Sequence, residues 1–205
     1  MRLKTQTMTR SFSINFSFDE LSKLFNTIGS RILLEKGQEN QFEIDDMNRD
    51  VIQELIYYLQ GDDKFSYDLN RGIIIMGSVG SGKTLLFNII KEILTYIRKN
   101  FHVYSAIEIN EAYDKKDNDL IQRFHDLYLL GIDDLGTENP SIKVYGTEKS
   151  PIYEVINRRY STDKMLFITT NLDADEIQKR YGDRIRDRLK EMCNVLVLKG
   201  PSRRR

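Results

Sequence analysis

The chain has 205 residues, enough for one α/β domain with a well-buried core and a small N-terminal appendage. Its 31 basic and 31 acidic side chains cancel, which excludes overall steering toward nucleic acid or membrane and leaves only local patches for that purpose. The lone cysteine, Cys193, excludes an internal disulfide, no apolar run approaches the ~18 residues of a spanning helix, and Met1 to Ser13 is polar rather than a signal core, so a soluble cytoplasmic protein with no membrane partner is expected.

In chain order, Leu21, Leu24, Phe25, Ile28, Ile32 and Leu33 fall at helical spacing between Phe18 and Leu34, with Asp19 and Glu20 where the helix dipole favours acids. Ahead of them Phe12, Phe16 and Phe18, spaced by Ser and Asn, suggest an edge strand or docking segment. A second amphipathic helix spans about Asp45 to Gln60 and stops at Gly61, and Gly61 to Arg71 is a polar connector. These features divide the chain into an N-terminal extension, residues 1–45, and a core, residues 46–205.

The core then alternates. Strands are expected at Gly72 to Met76, Phe101 to Ser105, Leu127 to Ile132, Met165 to Thr170 and Asn194 to Leu198. Helices are expected at Leu85 to Ile97, Ile107 to Phe124 with a break at Lys115 to Asp119, Lys149 to Ser161, Asp173 to Tyr181 and Asp183 to Met192. Five strands alternating with helices imply an α/β fold with a mostly parallel sheet covered on both faces.

Gly77-Ser78-Val79-Gly80-Ser81-Gly82-Lys83-Thr84 follows the first of those strands and opens a helix at Leu85. Glycines there let the backbone wrap an anion, and helix N-terminal amides face it, so residues 77 to 85 read as a phosphate-binding P-loop for ATP. Lys83 would reach the β- and γ-phosphates, and the Thr84 hydroxyl would ligate Mg²⁺.

The strand ending at Ile132 runs into Asp133-Asp134, carboxylates at the strand end where parallel sheets bind ligands. In this Walker B reading Asp133 holds Mg²⁺ and Asp134 polarises the attacking water, although Asp134 is a methylene shorter than the more usual Glu and Gly131 interrupts the apolar run. Asn171, at the end of a strand expected between the other two, could bond both the γ-phosphate and that water, or could cap the next helix; Asp173 with Glu176 has capping-box spacing. Arg184 and Arg188 share a helix face. They fit either a salt-bridged surface with Asp187 and Glu191, or arginines offered to a neighbouring subunit's γ-phosphate, with Arg188 the better placed.

The order P-loop, Ile132-Asp133-Asp134-Leu135-Gly136, Arg158-Arg159-Tyr160, Thr169-Thr170-Asn171-Leu172, Gly182-Asp183-Arg184, Arg188-Leu189 and Gly200-Pro201-Ser202-Arg203 resembles the DnaC/IstB branch of AAA+ ATPases over Asn48 to Arg203. The resemblance implies a P-loop NTPase fold of the AAA+ type without a C-terminal lid domain. It implies a helicase loader for DNA replication, or an IstB-like transposition helper, that oligomerises with ATP at subunit interfaces and binds single-stranded DNA. The partner would be a replicative helicase or a transposase. An Asp-Asp pair is ordinary in that branch. The Phe18 to Leu34 helix could then grip the helicase or fold back on the core. Arg203 could touch nucleotide or belong to a frayed basic end with Arg204 and Arg205. Two other readings compete: a nucleotide-gated adaptor with negligible hydrolysis, and a small P-loop kinase, which would have no use for Asn171 at a strand end.

Overall fold

The computed structural model describes residues 13–39, 41–144 and 147–203; Met1 to Phe12, Arg204 and Arg205 lie outside them. At its centre is a five-stranded sheet built from β1 (Gly72–Gly77), β2 (Phe101–Ser105), β3 (Leu129–Leu135), β6 (Met165–Thr170) and β7 (Cys193–Leu198). The order is β2-β3-β6-β1-β7, and each adjacent pair is parallel, so the mostly parallel sheet expected is wholly parallel. Alternation along β1 divides the core: Ile73 and Ile75 join one apolar cluster and Ile74 the other.

On the first face lie α1 (Phe18–Glu35), α2 (Arg49–Gln60) and α3 (Lys83–Tyr96). A capping box starts α1: Ser17 Oγ accepts the Glu20 N–H at 3.2 Å, and Glu20 Oε2 accepts the Ser17 N–H at 2.7 Å. Leu21, Phe25 and Ile32 are buried in the same cluster as α2 and α3. Burying three such side chains contributes roughly 5–8 kcal/mol before entropy. The Arg31–Glu92 ion pair from α1 to α3 is exposed and screened by solvent, so the apolar stripe holds α1 down.

Residues 13–17 ahead of α1 form no strand. They lie against the end of α2, where Ile14 N–H donates to the Leu59 carbonyl at 3.0 Å and Gln60 Nε2 donates to that of Phe16 at 2.8 Å. Helix α2 starts four residues later than its periodicity predicts. The Asp45 carboxylate accepts the Met47 N–H at 2.9 Å while Asn48 Oδ1 accepts the Asp45 N–H at 2.9 Å, and these local bonds fold 45–48 into a turn.

The second face carries α4 (Ala106–Asp114), α5 (Asn118–Asp126), α6 (Pro151–Ser161), α7 (Ala174–Tyr181) and α8 (Asp183–Met192). The break expected near Lys115 to Asp119 is present, with Asp117 capping α5 through the Leu120 N–H at 3.0 Å. Between β3 and α6 the chain forms an antiparallel hairpin, β4 (Ile142–Val144) and β5 (Thr147–Lys149), which corrects the helix expected from Lys149. Two three-residue strands are too short to show alternation, and Pro151 opens the helix instead.

Two residues fix the packing on the sheet, Gly131 toward the first face and Arg159 on the second. Gly131 on β3 leaves room for Phe87, Phe101 and Val103, because a Cβ there would stand 2.9–3.0 Å from each. Its place in the apolar run is thus a packing requirement. Arg159 on α6 is fully enclosed and donates to the carbonyls of Phe124 at 2.9 Å, Leu127 at 2.8 Å and Tyr128 at 2.9 Å, and to that of Met165. It ties the end of α5 to the N-terminal edge of β3 and β6, and burial pushes its guanidinium down to about 10.

Candidate functional site

At the opposite, C-terminal edge of the sheet, β1 ends at Gly77 and the chain turns through Gly80 (φ 82°) and Gly82 (φ 103°) into α3. Positive φ at these positions suits glycine. Lys83, 5% exposed, donates from Nζ to the carbonyls of Gly77 and Ser78, each at 2.8 Å. The ammonium thus lies across the loop that its sequence pattern places around phosphates.

Thr84 follows on the first turn of α3, and its hydroxyl lies 3.2 Å from Asp133 Oδ1. The two expected metal ligands therefore meet, although 49 residues separate them. Burial chiefly pushes the Asp133 carboxyl up from the usual carboxylate range; a hydrogen bond from Thr169 opposes this and neighbouring Asp134 adds to it. A divalent cation would favour the ionised form, so this donor set of one hydroxyl and one half-buried carboxylate fits Mg²⁺ that keeps other ligands from phosphate and water.

Asp134 and Asn171 face the same cavity as the P-loop. That cavity measures about 680 Å³, within the range of small-molecule sites, and Thr84 and Thr137 also line it. Asn171 lies directly after β6, which runs between β1 and β3 as expected, and its side chain is exposed. Asp173, not Asn171, caps α7: its carboxylate accepts the N–H groups of Asp175 at 2.9 Å and Glu176 at 2.8 Å.

The far wall of the cavity comes from both ends of the described chain. Leu33 and Phe42 contribute from the N-terminal side, Leu198, Ser202 and Arg203 from the tail. After β7 the tail crosses the P-loop: Ser78 Oγ donates to the Gly200 carbonyl at 2.9 Å and Arg203 N–H to that of Gly80 at 2.9 Å. A Cβ on Gly80 would stand 2.1 Å from Ser202 Oγ. Arg203 also donates to Asp45 Oδ1 at 2.7 Å, holding the Asp45 carboxyl below its usual range. Arg203 is therefore held against the P-loop backbone.

Arg184 and Arg188 stand elsewhere on the molecule, on α8 where it packs on α6. The Arg188 guanidinium lies over the Tyr160 ring at 4.8 Å, and its Nη1 is enclosed without a hydrogen-bond partner among the described residues. The acids expected as partners are engaged otherwise: Asp187 pairs with Arg186 at 2.9 Å, and Glu191 accepts the Tyr160 hydroxyl at 2.7 Å. Exposed Arg184 lies near Tyr153, whose hydroxyl is held below its usual range first by Asn157 and then by Arg184.

Sequence reasoning passes over Glu138. Its carboxylate is enclosed, accepts the Tyr181 hydroxyl and the Gly136 N–H, the latter at 2.9 Å, and lies 3.6 Å from Arg180 Nε. It anchors the loop after Asp134 to α7. In a run of polar residues such a Glu reads as solvated, and only the tertiary arrangement shows otherwise.

A P-loop after β1 and acids at the end of β3, with β6 inserted between the two strands, define a P-loop NTPase fold. No family model and no curated protein sequence matches the chain. Among solved structures it is similar to the DnaC helicase loader, with 20% identity over 78% of this chain and 95% of that one and a TM-score of 0.56. It is also similar to DnaI (21% identity, 78% and 86% covered, TM-score 0.59) and to the replication initiator DnaA bound to AMPPCP and single-stranded DNA (20%, 78% and 49%, 0.56). The fold is therefore of the DnaC type expected from the motifs. Among the described residues no helix is long and apolar enough to cross a membrane.

Proposed function

We propose that this protein binds and hydrolyses ATP as a helicase loader in DNA replication, oligomerising with ATP at its subunit interfaces. The observation that carries the nucleotide chemistry is the meeting of Thr84 and Asp133 beneath the P-loop, with Asp134 and Asn171 in the same cavity. Loading a helicase rests on the likeness to the DnaC helicase loader, and contact with single-stranded DNA on the likeness to DnaA.

In this reading the P-loop amides and Lys83 bind the β- and γ-phosphates, and Thr84 with Asp133 would hold Mg²⁺. Bound Mg²⁺ neutralises charge on the phosphates. Asp134 orients and polarises a water for in-line attack, Asn171 bonds that water and the γ-phosphate, and the products are ADP and phosphate. Arg188 enters from the neighbouring subunit, with Arg184 second, where a guanidinium stabilises transition-state charge. The stretch from α1 to Asp45 serves as the partner-docking piece, its exposed Leu34 offering apolar contact.

Turnover measured with and without single-stranded DNA and a replicative helicase tests this. Asp134→Asn is expected to keep ATP bound while lowering kcat by about 10²–10⁴-fold, and wild-type turnover is expected to rise with the partner. The shorter Asp134 favours a second reading, a nucleotide-gated adaptor that scarcely hydrolyses. Wild-type turnover no faster than that of Asp134→Asn, with binding intact, would select it. Stimulation by a transposase instead of a helicase would point to a transposition helper with the same chemistry.

A further inference from the structure

The ladder between β3 and β6 slips at one place, and that place carries both carboxylates of the site. Ile132 pairs with Ile168 and Leu135 with Thr170, so Asp133 and Asp134 stand opposite the single residue Thr169. Two residues against one is a β-bulge, a device that re-aims side chains beside active sites. The bulged Asp134 has a φ of 53°, a left-handed conformation unfavourable for a residue with a Cβ. Some contact must hold it there.

Thr169 supplies that contact. It is fully enclosed, and its one hydroxyl touches both bulged residues: Oγ1 donates to Asp133 Oδ1 at 2.5 Å and accepts the Asp134 N–H at 2.8 Å. An amide can only donate, so the hydroxyl proton is committed to the carboxylate. Thr84 donates to the same Oδ1 from α3, while Oδ2 carries neither bond. The next threonine serves a different part of the site. Thr170 Oγ1 donates to the Leu135 carbonyl at 2.7 Å and accepts the Leu172 N–H at 3.0 Å, bracketing Asn171.

We propose that Thr169 is a positioning residue for hydrolysis: its hydroxyl pins the β3 bulge, presenting the second Asp133 oxygen toward the metal and turning the Asp134 carboxylate into the phosphate cavity. The inference rests on the ATPase reading of the site. Removing the hydroxyl while keeping the side-chain shape frees the bulge to relax, leaving the P-loop that binds the phosphates untouched.

The test compares wild type with Thr169→Val, which is nearly isosteric, and Thr169→Ser, which retains the hydroxyl. Thermal melting, kcat and KM for ATP, and the Mg²⁺ concentration that half-saturates binding of a fluorescent ATP analogue are measured for each. The valine variant is expected to lose kcat and to need more Mg²⁺, each by about 10–100-fold, with metal-free nucleotide affinity unchanged and serine restoring both. Wild-type kcat or an unaltered Mg²⁺ requirement in a folded valine variant overturns the proposal, as does a serine variant equally impaired. Should wild type itself show no turnover, hydrolysis is the reading that fails, and the Mg²⁺ titration alone decides the role of Thr169. If Thr169→Val melts too early to assay, Thr169→Ala takes its place with the same readouts.

Discussion

At the N-terminal edge of the sheet the Arg159 guanidinium is wholly enclosed among backbone carbonyls of α5, β6 and the strand entry to β3, whereas at the C-terminal edge the Lys83 ammonium, 5% exposed, lies on two carbonyls of its own loop. Both cations are buried, and burial by itself would call both structural. Their acceptors differ. Those of Arg159 belong to three separate elements and cannot be replaced by solvent without parting them. Those of Lys83 belong to one glycine-rich turn that opens on a cavity, where phosphate oxygens can take their place. A buried charge is a fastening when its partners come from distant elements, and a ligand-binding group when they come from the rim of a pocket.

The comparison breaks most sharply on substitution at the two positions. Lys83→Ala is expected to abolish nucleotide binding while shifting stability by only about 1 kcal/mol, and Arg159→Met to cost at least about 3 kcal/mol by stranding its carbonyls, with nucleotide affinity of the folded protein retained. Urea unfolding beside a nucleotide titration reads both, and equal destabilisation by the two changes would erase the distinction.

A third cation, Arg188, tests whether a charge parked over an aromatic ring belongs to neither class. Arg188→Ala is expected to lower assembly-dependent turnover by about 10³-fold, with recovery on mixing with Lys83→Ala subunits that donate the arginine. Turnover that stays intact in the alanine variant would leave Arg188 a packing residue of α8 and α6.

The smallest effect belongs to Arg203, whose pair with Asp45 is largely exposed and worth at most about 1 kcal/mol. Because Arg203 chiefly lowers the Asp45 carboxyl, its stabilisation is present above the unfolded Asp value and is lost as pH falls through the folded one. Arg203→Ala is expected to move that loss to higher pH and to weaken nucleotide binding a few-fold, read from melting temperature against pH and from the titration.

The strands, the long helices and the P-loop were legible because each depends on local pattern: apolar runs of strand length, helical periodicity, glycines that permit positive φ, and acids at a strand end. The hairpin of β4 and β5 lacked any such pattern, and the start of α2 was masked by an Asp45–Asn48 turn whose residues also suit a helix N-terminus. The roles of Glu138, Arg159 and Arg203 were not legible, because nothing adjacent in sequence states what a side chain meets after folding.

Sequence alone determined the chemistry on offer: which anion the loop can hold, which carboxylates close a strand, which arginines share a helix turn. These follow from residue type and short-range spacing, through backbone geometry that acts over a few residues. Tertiary structure alone decided which of those groups meet. Bringing Thr84 to Asp133, seating Thr169 across the bulge and laying Arg203 on the P-loop all join residues far apart in the chain, through hydrogen bonds that form only once a buried sheet has fixed both partners.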